Sequence, residues 1–203
     1  MPYRPEHKAR TREKIVISAR RLFNRRGFAA VSIDEIMAGA GLTRGGFYAH
    51  FASKGELYAE AIRAIYTDHP GVGWDGFDFS REGAALARMV VTSYLSDDHF
   101  NEVDRSCPLI ALPGDVARSD DAVKAAYAEV FNAMVKVFEE GLNGDDRGRH
   151  GRALAIGALC VGGMVLARAV DDAALGEAVR GACRTLALEA GGWRDAEAGR
   201  AAA

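Results

Sequence analysis

Within 25 residues the chain writes Ser-x-x-Glu twice, as Ser32–Glu35 and Ser53–Glu56, with Gly39, Ala40 and Gly41 between the two. In such a box the serine oxygen takes an orphan amide of the first helical turn and the glutamate reaches back to the cap. Two helix starts this close, with glycines between them, leave room for short helices and a tight turn but none for a sheet. Ile33, Ile36 and Met37 supply the apolar side of the first short helix. After the turn, Thr43 can cap a further helix over 43–50 carrying Phe47, with Phe51 four residues on. The second box opens a longer helix through Leu57, Ala61, Ile62 and Ile65. Upstream, Ile15, Ala19, Leu22 and Phe23 recur at helical spacing across Thr11–Arg26, and Gly27 stops that run. The reading is all-α: a three-helix head over residues 1–65 containing a helix-turn-helix, joined through a fourth helix to a helical region over 66–203.

The remainder is also helical in pattern. Asp68–Ser80 is rich in Asp, Gly and Pro and reads as a connection, with Trp74, Phe77 and Phe79 tucked onto the core. Helices are expected over 81–96 with Ser80 as cap, over 107–117 interrupted by proline, and over 121–140 with Ser119 as cap. Two more follow over 146–170 and 172–190, the last stopped by Gly191 and Gly192. The closing Ala/Gly-rich tail is expected to fray.

Charge divides the chain as the helices do. Residues 1–65 hold twelve Lys/Arg against six Asp/Glu, whereas the remaining residues hold 14 against 22. A basic head on an acidic body suits a head that meets a polyanion. Three scattered cysteines and five scattered histidines form neither CxxC nor HExxH, so neither a disulfide framework nor a zinc site is indicated. The longest apolar run, Ala153–Ala167, is 15 residues, short of the roughly 20 that a membrane span needs. A cytoplasmic protein without a membrane segment is expected. Phosphate loops, nucleophile elbows and paired acid–base motifs are absent, which argues against an enzyme.

The stretch "LTRGGFYAHFASKGELY" (42–58) concentrates the chemistry. A helix entering a major groove needs short polar residues at its start and close backbone approach. Thr43 and Arg44 stand at that start, and Gly45 and Gly46 remove side chains beside them. Tyr48, His50 and Lys54 offer donors of different reach for phosphates, and Ser53–Lys54 opens a helix whose amides favour an anion.

These residues resemble the DNA-binding domain of the tetracycline-repressor (TetR) family of bacterial regulators. The matching pieces are Phe23 and Gly27, Ile36, Gly41-Leu42-Thr43, and the run Gly45-x-x-Tyr48-x-x-Phe51-x-Ser53-Lys54-x-x-Leu57. The resemblance covers about the first 65 residues. It implies a homodimer on a palindromic double-stranded DNA operator, the helix at 43–50 of each subunit in a major groove. It places Thr43, Arg44, Gly45 and Gly46 at bases or nearby backbone, and Ser32, Tyr48, His50 and Lys54 at phosphates. Gly46 departs from the threonine, serine or alanine common there. Arg4, Lys8 and Arg12 form either a contacting arm or a basic tail. Dimerisation is expected through the helices at 146–170 and 172–190, where Gly157, Gly162 and Gly163 permit close approach beside Ile156, Leu159, Met164 and Leu166.

A ligand-responsive repressor follows as the functional expectation, with an unidentified small-molecule effector and no cofactor. Tyr94, Phe100, Cys107, Tyr127, Phe131, Met134 and Met164 are the pocket candidates, each equally at home in an ordinary core. Cys107, in "RSCPLIALPG", sits at an expected helix start near Arg105, which raises the alternative of a redox- or electrophile-sensing repressor. A helical adaptor without DNA binding is the other alternative.

Overall fold

The computed structural model describes residues 5–69, 71–72 and 77–193. Ten α-helices are present among the described residues: α1 (Pro5–Arg26), α2 (Ile33–Gly39), α3 (Lys54–Arg63), α4 (Gly83–Tyr94), α5 (Asp97–Asn101), α6 (Pro108–Ala111), α7 (Pro113–Ala117), α8 (Asp121–Gly141), α9 (Asp146–Ala169) and α10 (Ala173–Gly191). A 3₁₀ helix, Arg44–Ala49, lies between α2 and α3, and another, Ala64–Tyr66, extends α3. No described residue lies in a strand, so the all-α expectation holds.

Two compact units emerge. The first takes residues 1–70 together with 102–130, and the second takes 71–101 with 131–203. The break therefore falls elsewhere than the 65/66 boundary read from the sequence. The reason lies in apolar faces that the pattern after residue 100 did not assign to the head. In the first unit α1 packs on α2, α3 and α6. Ile15, Ala19 and Phe23 of α1 are buried, as are Ile36, Phe47, Phe51, Leu57, Tyr58 and Ile62. Leu109, Ile110 and Val116 of α6 and α7 and Val123 and Ala126 of α8 are buried too. A fully buried Phe or Leu contributes about 1.5–3 kcal/mol over leaving it in water.

Polar ties reinforce that unit. Asn24 donates to the carbonyls of Asp104 and Ser106, both at 3.0 Å, and Arg25 pairs with Asp104. The Phe28 amide donates to Asp115 at 2.7 Å, at the end of α1 where Gly27 turns the chain with φ +74°. A side chain on Gly27 would strike that same carboxylate.

The second unit is built on α9 and α10, with α4 against α10. Ala153, Ile156, Cys160, Met164 and Ala167 form the buried side of α9, and α10 approaches so closely that a Cβ on Gly163 would lie 2.9 Å from Cys183. Gly163 is thus spent on packing inside the unit, and Gly157 accommodates Phe131 in the same way. Trp193 closes the unit, its indole donating to the Gly141 carbonyl at 3.0 Å. By length and composition Gly148–Ala169 could cross a membrane, which the shorter run read from the sequence did not suggest; its buried positions recur every three to four residues, so one side of the helix packs on the unit.

Local starts depart from the sequence reading in instructive ways. α8 is capped by Asp120, whose carboxylate accepts from the Val123 amide at 3.0 Å, while Ser119 turns back to Asp115. Ser80 binds Asp78, and α4 starts at Gly83 without a side-chain cap. At α8 a carboxylate, the stronger acceptor, takes the cap bond expected of Ser119; at Ser80 the Asp78 carboxylate instead accepts the serine's own hydroxyl and amide. Phe79 meets Phe77 edge-on but is 58% exposed, so it is not tucked away, and Trp74 lies outside the described residues, as does the Ala-rich tail.

Candidate nucleic-acid interface

The first box forms as written. Ser32 accepts from the Glu35 amide at 3.2 Å, and Glu35 accepts from the Ser32 amide at 2.8 Å. The Ser32 amide, Arg26 at 2.6 Å and the Ser32 hydroxyl at 2.8 Å all donate to the Glu35 carboxyl and hold it down at about 2. The second box is shared differently: Ser53 accepts from the Glu56 amide at 3.0 Å, but Glu56 reaches past it to the Ala52 amide at 2.7 Å. Between the boxes, Ser18 of α1 donates to the Ile36 carbonyl at 2.8 Å, and the missing side chain of Gly39 makes room for it. Gly41, at φ +72°, then turns the chain toward Thr43.

The segment expected as a helix over 43–50 is a 3₁₀ helix, with i→i+3 bonds from Gly46 to Thr43 (3.1 Å) and from His50 to Phe47 (2.9 Å). Two adjacent glycines weaken α-helical propensity, and the tighter form suits a single short element. Thr43 occupies the cap position with no side-chain bond, so its hydroxyl stays available. Phe47 and Phe51 are buried 5.7 Å apart and pin the element from behind. Tyr48, edge-on to Phe47, projects outward at 64% exposure. Gly45 faces open space. Arg44 is exposed and paired with Asp34 of α2 at 2.6 Å, a surface pair worth roughly 0–1 kcal/mol and cheap to exchange.

Two basic residues are engaged inside the fold. The Lys54 ammonium donates to the Phe28 carbonyl and lies 4.2 Å from the centre of the Phe28 ring, and burial lowers its pKa. Arg12 bonds Glu60 and the His50 carbonyl and stacks 4.0 Å over Phe51, so it is a brace across α1 and α3 rather than part of a mobile arm. Arg4 lies outside the described residues. Lys8 is exposed on α1, which is already helical at Pro5, ahead of the Thr11 read from the sequence.

This earlier start brings His7, Lys8 and Thr11 to a half-open cleft of about 480 Å³. Met37, Leu42, Thr43, Gly46, Ala49 and His50 line the same cleft. The His50 Nδ1 is buried without a hydrogen-bond partner, and burial followed by Lys8, Arg12 and His7 lowers its pKa. Sequence reasoning missed Met37, Leu42 and Ala49 here: the pattern assigns Met37 to the apolar side of the first short helix and Leu42 to the turn, and Ala49 carries no signal.

The remaining candidates divide between the two units. Cys107 and Tyr127 belong to the first unit, whereas Tyr94, Phe100, Phe131, Met134 and Met164 belong to the second. Tyr127 donates to the Leu109 carbonyl at 2.9 Å, and its hydroxyl is pushed up to about 12 by burial. Arg180 stacks 4.5 Å over Phe100. Cys107 is buried at the start of a four-residue helix, too short for a dipole argument, and Arg105 points its guanidinium at Asp68 and the His69 carbonyl. Among the described residues no cluster of His, Cys, Asp or Glu is placed to hold a metal.

Residues 15–61 match the family model described as bacterial regulatory proteins, tetR family. The repressor BepR of Brucella suis biovar 1 is 39% identical over 146 residues, covering 64% of this chain and 67% of that one. The chain belongs to the TetR family. Other curated relatives match over some 50 residues at 44–46% identity, spanning only 17%, 23% and 27% of their own lengths. Family likeness at fold level extends much further: the reduced form of E. coli NemR superposes with a TM-score of 0.70 at 14% identity, covering 89% of this chain and 96% of that one. A SmeT–triclosan complex gives 0.59 at 22% identity, covering 89% and 91%. The TetR-family helix-turn-helix is thus α2, the turn at Gly41 and the 3₁₀ helix.

Proposed function

We propose that the protein is a ligand-responsive transcriptional repressor that binds a palindromic operator as a homodimer. The observation that carries this reading is the exposed 3₁₀ face: Thr43, Arg44, Gly45 and Tyr48 project from an element anchored by buried Phe47 on a basic head. Thr43, Arg44, Gly45 and Gly46 meet base edges or nearby backbone. Tyr48, His50, Ser32 and Lys54 lie on the phosphate side, although Lys54 also holds Phe28 in the free protein. The effector is a small molecule; triclosan bound to SmeT supports this by analogy of fold, and the seven pocket candidates stay candidates. The dimer reading rests on α9 and α10. Leu154, Leu166, Leu175 and Leu186 are 37–57% exposed there, and Gly162 and Gly181 face open space. Burial of Cys107 favours this reading over a cysteine-based sensor; a Cys107→Ser protein is expected to keep its DNA response to oxidants unchanged.

The test is binding of the full chain to its upstream DNA across a salt series, with footprinting. Expected are two protected half-sites and affinity falling steeply with salt, as phosphate contacts release counterions. Tyr48→Ala is expected to weaken operator and random duplex alike, by roughly the 1.5–3 kcal/mol of a charged hydrogen bond. A large loss confined to the operator would reassign Tyr48 to base readout, and salt-independent binding would defeat the proposal.

A further inference from the structure

Gly46 stands where a side chain is expected, and the structure shows what its absence creates. In a 3₁₀ helix residues three apart eclipse one another, so Thr43, Gly46 and Ala49 form one row. That row lines the cleft together with Met37, Leu42 and Lys8. A Cβ on Gly46 would lie 3.5 Å from Met37 Cε, in ordinary contact. The glycine is therefore not demanded by crowding, and its φ is not in the left-handed region. It leaves an apolar hollow beside an unbonded threonine hydroxyl and a lysine.

We infer that this hollow receives the 5-methyl group of a thymine in each operator half-site, with Thr43 placed to donate to the neighbouring O4; the inference rests on the DNA-binding reading above. In the major groove the thymine methyl is the one apolar feature that a base edge offers. An amino group or carbonyl of another base set against Met37, Leu42 and Ala49 would lose water without gaining a partner. Lys8 supplies the positive charge that a strand passing over the cleft requires, and His7 and His50 flank the same opening. Specificity at this position would come from shape: filling the hollow with protein carbon removes the seat.

The experiment uses the full chain and an operator selected from a random duplex library. Each thymine of the half-site is replaced in turn by uracil, which lacks only the methyl. Burial of one such group predicts about a fourfold loss of affinity per half-site at one thymine position, and little at the others. In Gly46→Ala, which the open space allows to fold, that position is expected to become insensitive to the methyl while binding to the uracil duplex is retained. The inference falls if the wild type binds the selected operator with no methyl-sensitive thymine, or if Gly46→Ala keeps the full sensitivity. Failure to select any sequence would instead overturn the DNA-binding reading, and this inference with it.

Discussion

Lys54 shows how a residue type can be right for one task and occupied by another. Its position one residue after the Ser53 cap suits an anion site, yet its ammonium sits on the Phe28 carbonyl and ring. A charged hydrogen bond and a cation–π contact together are worth about 2 kcal/mol when partly desolvated. Lys54→Ala is therefore expected to lower unfolding stability by about that amount in urea titration, whatever it does to DNA binding. An unchanged midpoint would return Lys54 to a purely external role. Arg44, tied only to exposed Asp34, stays available by contrast.

Among the elements, the end of α3, α1 and the segment before α6 meet at a charge network. Arg20, 3% exposed, donates to Asp68 at 2.8 Å and to the Arg105 carbonyl at 2.7 Å, while Arg105 binds Asp68 at 3.0 Å. His69 lies beside both guanidiniums; burial first, then Arg20 and Arg105, lower its pKa to about 4 from 6.5. With the folded value depressed, the unfolded chain binds more protons between pH 6.5 and 4, so stability falls as pH falls through that window. The cost is up to about 3 kcal/mol and is fully incurred below pH 4. Thermal unfolding between pH 6.5 and 5 lies above the range where ordinary carboxylates titrate, and His50, whose pKa is also lowered, contributes there equally in wild type and in a His69 variant. His69→Gln is expected to flatten the slope there, and an unchanged slope would place the acid sensitivity elsewhere.

At the scale of the molecule, the apolar stripe on α9 and α10 is the surface proposed to pair two copies. Leu166 and Leu186 are 57% and 52% exposed, so charges at both positions are tolerable within one subunit. Leu166→Glu with Leu186→Glu is expected to give a folded monomer by sedimentation, with operator affinity reduced at least about a hundredfold as the second half-site ceases to assist the first. A dimer surviving both changes would exclude this stripe as the interface.

The local instructions of the head were legible in the sequence because they depend on neighbours in the chain. Ser32 and Glu35 cap whatever surrounds them, Gly41 turns where only a glycine turns easily, and Phe47 and Phe51 must be hidden. These determine a helix-turn-helix and its outward residues. Distance along the chain hid the rest. Nothing in residues 102–118 announces that Asp104 and Asp115 hold the end of α1, because ion pairs and amide caps carry no periodicity. Likewise, only packing could decide that Arg12 and Lys54 are braces, and that Gly46 opens a hollow over Met37. The reason is that a side chain's type limits which bonds it can form, whereas the groups that the fold brings within reach decide which bond it makes.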